Sequence, residues 1–356
     1  MVNILITGGA GCIGSALAER LIKEGHNVTI YDSLMYGQTS LSRLDAMLER
    51  GVSVNEALLL DVGQYHSGRN FSFVKGDTRD YDKLKKLFSQ GKFDVVFHFG
   101  ELVGIDRCGL NSNETRDVNA VATAEVVDLT QRHNAAFVYN STSSLYGDIK
   151  DPRLLSEDAP LSSSDEYCAN KLVAERHVFK VAEAHPDFRW VMLRPATVGG
   201  LSPRMRLDLL PNHFTYMAVA RGYLPISNPD QSRAVVDIAD LIDAYALVLR
   251  APSWQNGIYN IGHHNLTKRK FLALLAATVS PLQFHVNFKP GKGDMRSLNI
   301  SSDKFSKSYG YSPKVPLEDT ITAMAGMIKK DPTIFDRTNF RGVINTTLEK
   351  WEASLN

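Results

Sequence analysis

The first thirty-two residues constrain the fold more than any other part of the chain. The apolar run NILIT (3–7) leads into the glycine-rich turn TGGAGCIG, then an apolar-periodic segment, SALAERLIKEG (15–25), and a second β-branched run, NVTIYD (27–32). This order reads as strand, turn, helix, strand. Gly8, Gly11 and Gly14 let a pyrophosphate approach the backbone, and a helix opening there aims free N–H groups and its positive dipole end at that anion. Asp32 closes the second run 18 residues after Gly14, where a carboxylate takes the adenosine ribose hydroxyls and repels a 2′-phosphate. No Arg or Lys follows directly in DSLMYG, so the pattern favours NAD over NADP.

The rhythm continues through FSFVKGD (71–77), the amphipathic DYDKLKKLFSQ (80–90), FDVVFHFG (93–100), a helical stretch from Glu114 to Arg132, and AAFVYNSTS (135–143). Alternation of this kind predicts an α/β fold, a Rossmann-type doubly wound parallel sheet with helices on both faces, over residues 1–198. A polar, partly helical insertion over 36–70 is too long for an ordinary connection and reads equally as a binding loop or a surface elaboration. Beyond RWVMLRPAT (189–197) the alternation weakens and Pro and Gly become frequent. A smaller C-terminal α/β substrate domain is expected over 199–330, with some segments returning to the Rossmann domain, followed by a C-terminal extension, 331–356.

With 356 residues, the chain can bury one large core or two smaller ones. Its 40 basic and 39 acidic residues leave a formal charge of only +1. No basic block is present, which argues against nucleic acid or a membrane surface as partner. Cys12, Cys108 and Cys168 are widely spaced and form no CxxC, so neither a disulfide framework nor a metal site is indicated. The apolar start MVNILITGG is too short for a secretory core or a membrane span. A soluble cytoplasmic protein is the expectation.

Chemistry concentrates in NSTSSLYG (140–147), which places Ser141, Thr142, Ser143 and Ser144 behind an apolar strand, and in YCANK, where Tyr167 and Lys171 share a helix face. The same Tyr-to-Lys spacing occurs at Tyr81/Lys85 and Tyr146/Lys150. Only Tyr167/Lys171 follows the fifth strand on a helix able to face that strand's end, where ligands bind in open α/β sheets. A phenol titrates near pH 10, so a neighbouring ammonium and the positive nicotinamide ring are needed to make it a base near neutrality. Such a base takes a proton from a substrate alcohol whose carbon delivers hydride to the cofactor, and a Ser or Thr hydroxyl holds the alcohol oxygen.

On these motifs the chain resembles the extended short-chain dehydrogenase/reductases of the NAD-dependent nucleotide-sugar epimerase and dehydratase family, over roughly residues 3–325. The resemblance implies a cofactor site of Gly8, Gly11, Cys12, Ile13, Gly14, Asp32, Asp77, Thr78, Gly100 and Asn119 with Tyr167 and Lys171. It selects Thr142, four before the Tyr of the YG pair, as the catalytic hydroxyl. It implies a nucleotide-diphosphate sugar substrate held by Thr142, Thr197, Arg206, Asn212, Arg233 and Arg296, and a homodimer through helices near 114–132 and 166–184. Thr197 departs from the asparagine that many members carry. The 4,6-dehydratases carry an Asp-Glu pair after the hydroxyl residue; here Ser143 and Ser144 stand instead. The expected reaction is therefore 4-epimerisation through a transient 4-keto sugar. The alternative is a dehydratase, or an enzyme like the sulfoquinovose synthases, using Glu101 of HFGE as acid/base; a non-catalytic NAD-sensing protein is the reading from another class.

Overall fold

The computed structural model describes residues 1–54, 70–148, 153–162, 165–289 and 297–330. Arg296, part of the 36–70 insertion and the 331–356 extension lie outside them. The strands are β1 (Asn3–Thr7), β2 (Asn27–Asp32), β3 (Phe71–Lys75), β4 (Val95–His98), β5 (Ala136–Asn140), β6 (Trp190–Pro195), β7 (Thr197–Gly199), β8 (Tyr223–Ser227), β9 (Ser232–Asp237), β10 (Gly257–Ile261), β11 (His264–Thr267) and β12 (His285–Lys289). Seven of them form one parallel sheet in the order β10-β6-β5-β4-β1-β2-β3. The expected doubly wound fold is therefore present. Chain order reverses beside β1, which pairs with β2 on one side and β4 on the other, and so opens a ligand crevice at the strands' carboxyl ends.

Helices α1 (Cys12–Lys23), α2 (Thr39–Glu49), α3 (Tyr81–Gly91), α4 (Ile105–Gly109), α5 (Ser112–Arg116), α6 (Thr123–Arg132) and α7 (Glu166–Ala184) belong to this first part. Strands β4, β5 and β6 are buried at every position. That burial is why they read as continuous apolar runs rather than alternating ones. Between α5 and α6 the residues Asp117–Ala122 form a π-helical turn. Such bulges are frequent at functional sites, and this one turns Asn119 inward.

A buried network sets α7 against the sheet. Arg194 of β6 donates to both oxygens of Glu175 at 2.9 and 2.6 Å, Ser141 donates to Glu175 at 2.5 Å, and Arg194 also donates to the Tyr146 hydroxyl at 3.1 Å. Breaking such a pair costs about 3–5 kcal/mol because the remaining charge stays buried. The register between α7 and the end of β5 is thereby fixed.

After β7 come α8 (Leu210–Tyr216), α9 (Ile238–Arg250), α10 (Lys268–Val279), α11 (Asp303–Tyr309) and α12 (Leu317–Lys330). A second apolar core, with Phe214, Phe271, Leu275, Ile321 and Met324, fills this region. It carries a three-stranded sheet, β11-β9-β7, and a parallel pair, β12-β8. Strand β10 leaves it to pair with β6 at the edge of the main sheet. Among the described residues no helix is long and apolar enough to cross a membrane.

Candidate active site

One cavity of about 580 Å³ runs from the glycine-rich turn to β8 and β9. At its first end Gly8 has φ +68°, and a Cβ there would lie 2.5 Å from the Phe99 backbone. A Cβ on Gly14 would lie 2.5 Å from the Gly8 carbonyl oxygen. Only glycine fits at either point, which lets the turn close tightly against β4 and the start of α1. No side chain caps α1, so the amides of its first turn, at Cys12 and Ile13, are available to an anion. This cradle fits a dinucleotide pyrophosphate.

Asp32 ends β2 with one carboxylate oxygen accepting from the Ala10 N–H at 3.0 Å and the other from the Leu34 N–H at 2.8 Å. Burial raises its pKa, while those two bonds and the Arg204 charge oppose the rise. A carboxylate has about four acceptor sites, so room remains for ribose hydroxyls. Asp77, Thr78 and Gly100 also line the cavity. Asp77 is paired with Arg79 at 2.7 Å, which holds its carboxyl below the usual range.

Another part of the cavity wall lies at the carboxyl ends of β4 and β5. Thr142 caps a 3₁₀ turn, accepting from the Ser144 N–H at 3.1 Å. Its hydroxyl interacts with the Tyr167 phenol and favours the phenolate. Both residues line the cavity. Asp165 caps α7 by accepting from the Cys168 N–H at 2.9 Å, so the helix starts just before Tyr167 and presents it from the first turn. The ring packs on Leu102, Cys108 and Val118. Burial drives the Tyr167 pKa well above its ordinary value, the Glu101 charge adds to the rise, and Thr142 and Arg206 oppose it.

The Lys171 ammonium is fully buried and bonded to the Glu101 carboxylate and the Asn140 carbonyl oxygen, 4.6 Å from the centre of the Tyr139 ring and 5.8 Å from that of Tyr167. Glu101, 1% exposed, also accepts from the Tyr139 hydroxyl at 2.8 Å and the Thr123 hydroxyl at 3.4 Å. Burial raises the Glu101 pKa and Lys171 is the first influence opposing it. His98, between the Thr7 and Thr123 hydroxyls at 2.7 and 2.9 Å, is pushed down to about 3 by burial and then by Lys171. It is neutral and structural.

Two expected ligand residues are engaged with the protein itself. Asn119 accepts from the Leu102 N–H at 2.8 Å and donates to the Leu102 carbonyl oxygen at 2.7 Å, which fixes the loop after β4. Asn212 accepts from the Gly200 N–H at 2.9 Å and donates to the Arg206 carbonyl oxygen at 3.0 Å. Thr197, Arg206 and Arg233 line the cavity, with Arg206 paired to Asp208, its Nε 3.0 Å from Oδ1. Tyr36, Arg204, His213 and Lys268 line it as well. Lys268 had no signal in the sequence; it is buried, donating to the Ser227 carbonyl oxygen at 2.9 Å. Among the described residues no cluster of His, Cys, Asp or Glu suits a metal ion.

A parallel sheet with a glycine cradle at its switch point and a Thr–Tyr pair at the neighbouring strand end defines a dinucleotide-dependent enzyme acting on an alcohol. Residues 4–262 match the NAD dependent epimerase/dehydratase family, and the chain belongs to it. A UDP-glucose 4-epimerase of Cyamopsis tetragonoloba is 30% identical over 339 residues, 89% of this chain and 92% of that protein. A bifunctional UDP-glucose 4-epimerase and UDP-xylose 4-epimerase of Pisum sativum is 27% identical over 352 residues, 93% of this chain and 96% of that protein. Among solved structures, a UDP-glucose-4-epimerase from Stenotrophomonas maltophila with bound NAD and formylated UDP-arabinopyranose is similar in fold. Its TM-score is 0.79 at 20% identity, covering 93% of this chain and 98% of that one.

Proposed function

We propose that the chain is an NAD-dependent nucleotide-sugar 4-epimerase whose substrate is a UDP-sugar. The observation that carries this reading is the cavity itself, which joins the glycine cradle to Thr142 and Tyr167 at one end and reaches Arg233 and Lys268 at the other. The sugar's reacting carbon sits between the first two; the cationic end suits its diphosphate. The named relatives act on UDP-sugars at C4, which supports the base and the position.

Bound NAD supplies the chemistry of accepting a hydride and returning it. Thr142 would hold the C4 hydroxyl, and Tyr167 as phenolate would take and keep its proton as C4 became a carbonyl and gave up its hydrogen to the cofactor. With the keto sugar turned in the cavity, Tyr167 would give the proton back to the C4 oxygen, and return of the hydride to the opposite face of C4 would leave no net oxidation. Ser143 and Ser144 offer no acid for a dehydration, and the Glu101 carboxylate is occupied by Lys171, Tyr139 and Thr123, which favours epimerisation over elimination.

The test is incubation with UDP-, GDP-, CDP- and dTDP-sugars in deuterated water, with products read by NMR. Inversion at C4 of a UDP-sugar without solvent deuterium is the expected result. Deuterium at C5 with loss of water, or net formation of NADH, would overturn it.

The same reading includes a homodimer through α7 and the helical stretch from Ser112 to Arg132. Val121 and Val173 are exposed there, at 51% and 49%, and the exposed Phe179 packs edge-on to Trp190. Val173→Glu is expected to convert a dimer into a monomer in size-exclusion chromatography with light scattering. A monomeric parent protein would remove this part of the reading.

A further inference from the structure

The substrate half of the chain reaches back over the glycine-rich turn. Between β7 and α8, the Ser202 hydroxyl donates to the Cys12 carbonyl oxygen at 2.6 Å, and Arg43 in α2 donates to the Pro203 carbonyl oxygen at 3.0 Å. Ser202, Pro203 and Arg43 are all buried, so this segment is packed in place. The next residue, Arg204, lines the cavity with its guanidinium 4.0 Å from the centre of the Tyr36 ring. Its charge is felt at Asp32 and at Cys12, the ribose and pyrophosphate ends of the cofactor cradle. Neighbouring Arg206 is satisfied by Asp208. Arg204 makes no ion pair with any described residue, and burial and then the Arg206 charge push its pKa down. A guanidinium that is half-buried and lacks a carboxylate partner among the described residues is stabilised by an anion.

We propose that residues 202–206 form a strap across the dinucleotide site and that Arg204 holds the pyrophosphate of NAD from the side opposite the first turn of α1. The two phosphates are the anionic groups of NAD, and a planar guanidinium matches them in a bidentate fashion. Tyr36 supports the guanidinium plane, while Ser202 and Arg43 keep the strap down. The Tyr36 contact and the anchoring of Ser202 on Cys12 place Arg204 beside the cofactor cradle. A cofactor gripped from both halves of the chain stays bound between turnovers, which suits a reaction that takes no net electrons. The inference rests on NAD binding and not on which sugar reacts.

The test uses the full chain with Arg204→Met and Arg204→Lys, each checked by circular dichroism at saturating NAD. NAD release is followed after dilution, and UDP, NAD and NADP affinities are measured by calorimetry. Arg204→Met is expected to release NAD about tenfold faster or more, with UDP affinity unchanged within about twofold. The lysine variant is expected to be intermediate, because it keeps charge and stem without the fork. NAD release within about twofold of the parent would overturn the proposal. So would a loss confined to UDP, which returns Arg204 to the substrate, or one confined to NADP, which assigns it to a 2′-phosphate. If Arg204→Met loses NAD in a chain that epimerises no sugar, the inference stands and only the proposed reaction falls.

Discussion

Tyr167→Phe is expected to lower epimerisation about a thousandfold, the scale on which a positioned acid/base group contributes, with NAD content unchanged. Phenylalanine keeps the ring that packs on Leu102, Cys108 and Val118 and removes only the hydroxyl facing Thr142. The fold therefore has no reason to change, and the loss reads the proton transfer alone. Turnover is followed by NMR of the sugar, and bound NAD by absorbance of the denatured protein. A variant that turns over like its parent would mean that another group takes the proton.

Glu101→Gln is expected to act in two separable ways. Its carboxylate is the buried counter-charge of Lys171. Removing that charge leaves the buried ammonium with neutral partners alone, the amide oxygen at 101, the Asn140 carbonyl and the Tyr139 and Tyr167 rings, at a cost of up to about 3–5 kcal/mol, read as a lower melting temperature. The second effect is on pH dependence. Tyr167 must lose its proton to act as base, and the Glu101 charge raises the Tyr167 pKa. Taking that charge away lowers it, so the rising limb of the pH–kcat/KM profile moves to lower pH. A limb that stays in place, or moves upward, would show that Glu101 does not act on the base. A complete loss of turnover with an unchanged melting temperature would favour Glu101 as an acid/base group.

The parts of this molecule that could be read in advance are those whose chemistry is local in the chain. The turn from Gly8 to Gly14 and its acid Asp32 lie in one stretch, because one strand–turn–helix–strand unit contains the whole cradle. The continuous apolar runs announced buried parallel strands. What stayed hidden depends on partners far apart in sequence. Glu101 and Lys171 are 70 residues apart and Ser202 and Cys12 are 190 apart; no periodicity connects them. Residue type also does not reveal whether a side chain is already committed. Asn119 and Asn212 are both bonded to backbone, which nothing in the sequence around them indicates. Among the four hydroxyls at 141–144, Ser141 serves the buried Glu175, a role no spacing rule distinguishes from that of Thr142.

The return of β10 to the main sheet bears on how the protein is made. On the ribosome, β6 emerges with its outer edge unpaired, and the strand that covers it is still unsynthesised. Helix α9, which packs on α1, arrives only shortly before β10. An unpaired edge templates association with other chains. The nascent protein therefore carries an adhesive margin until Ile261 has cleared the exit tunnel.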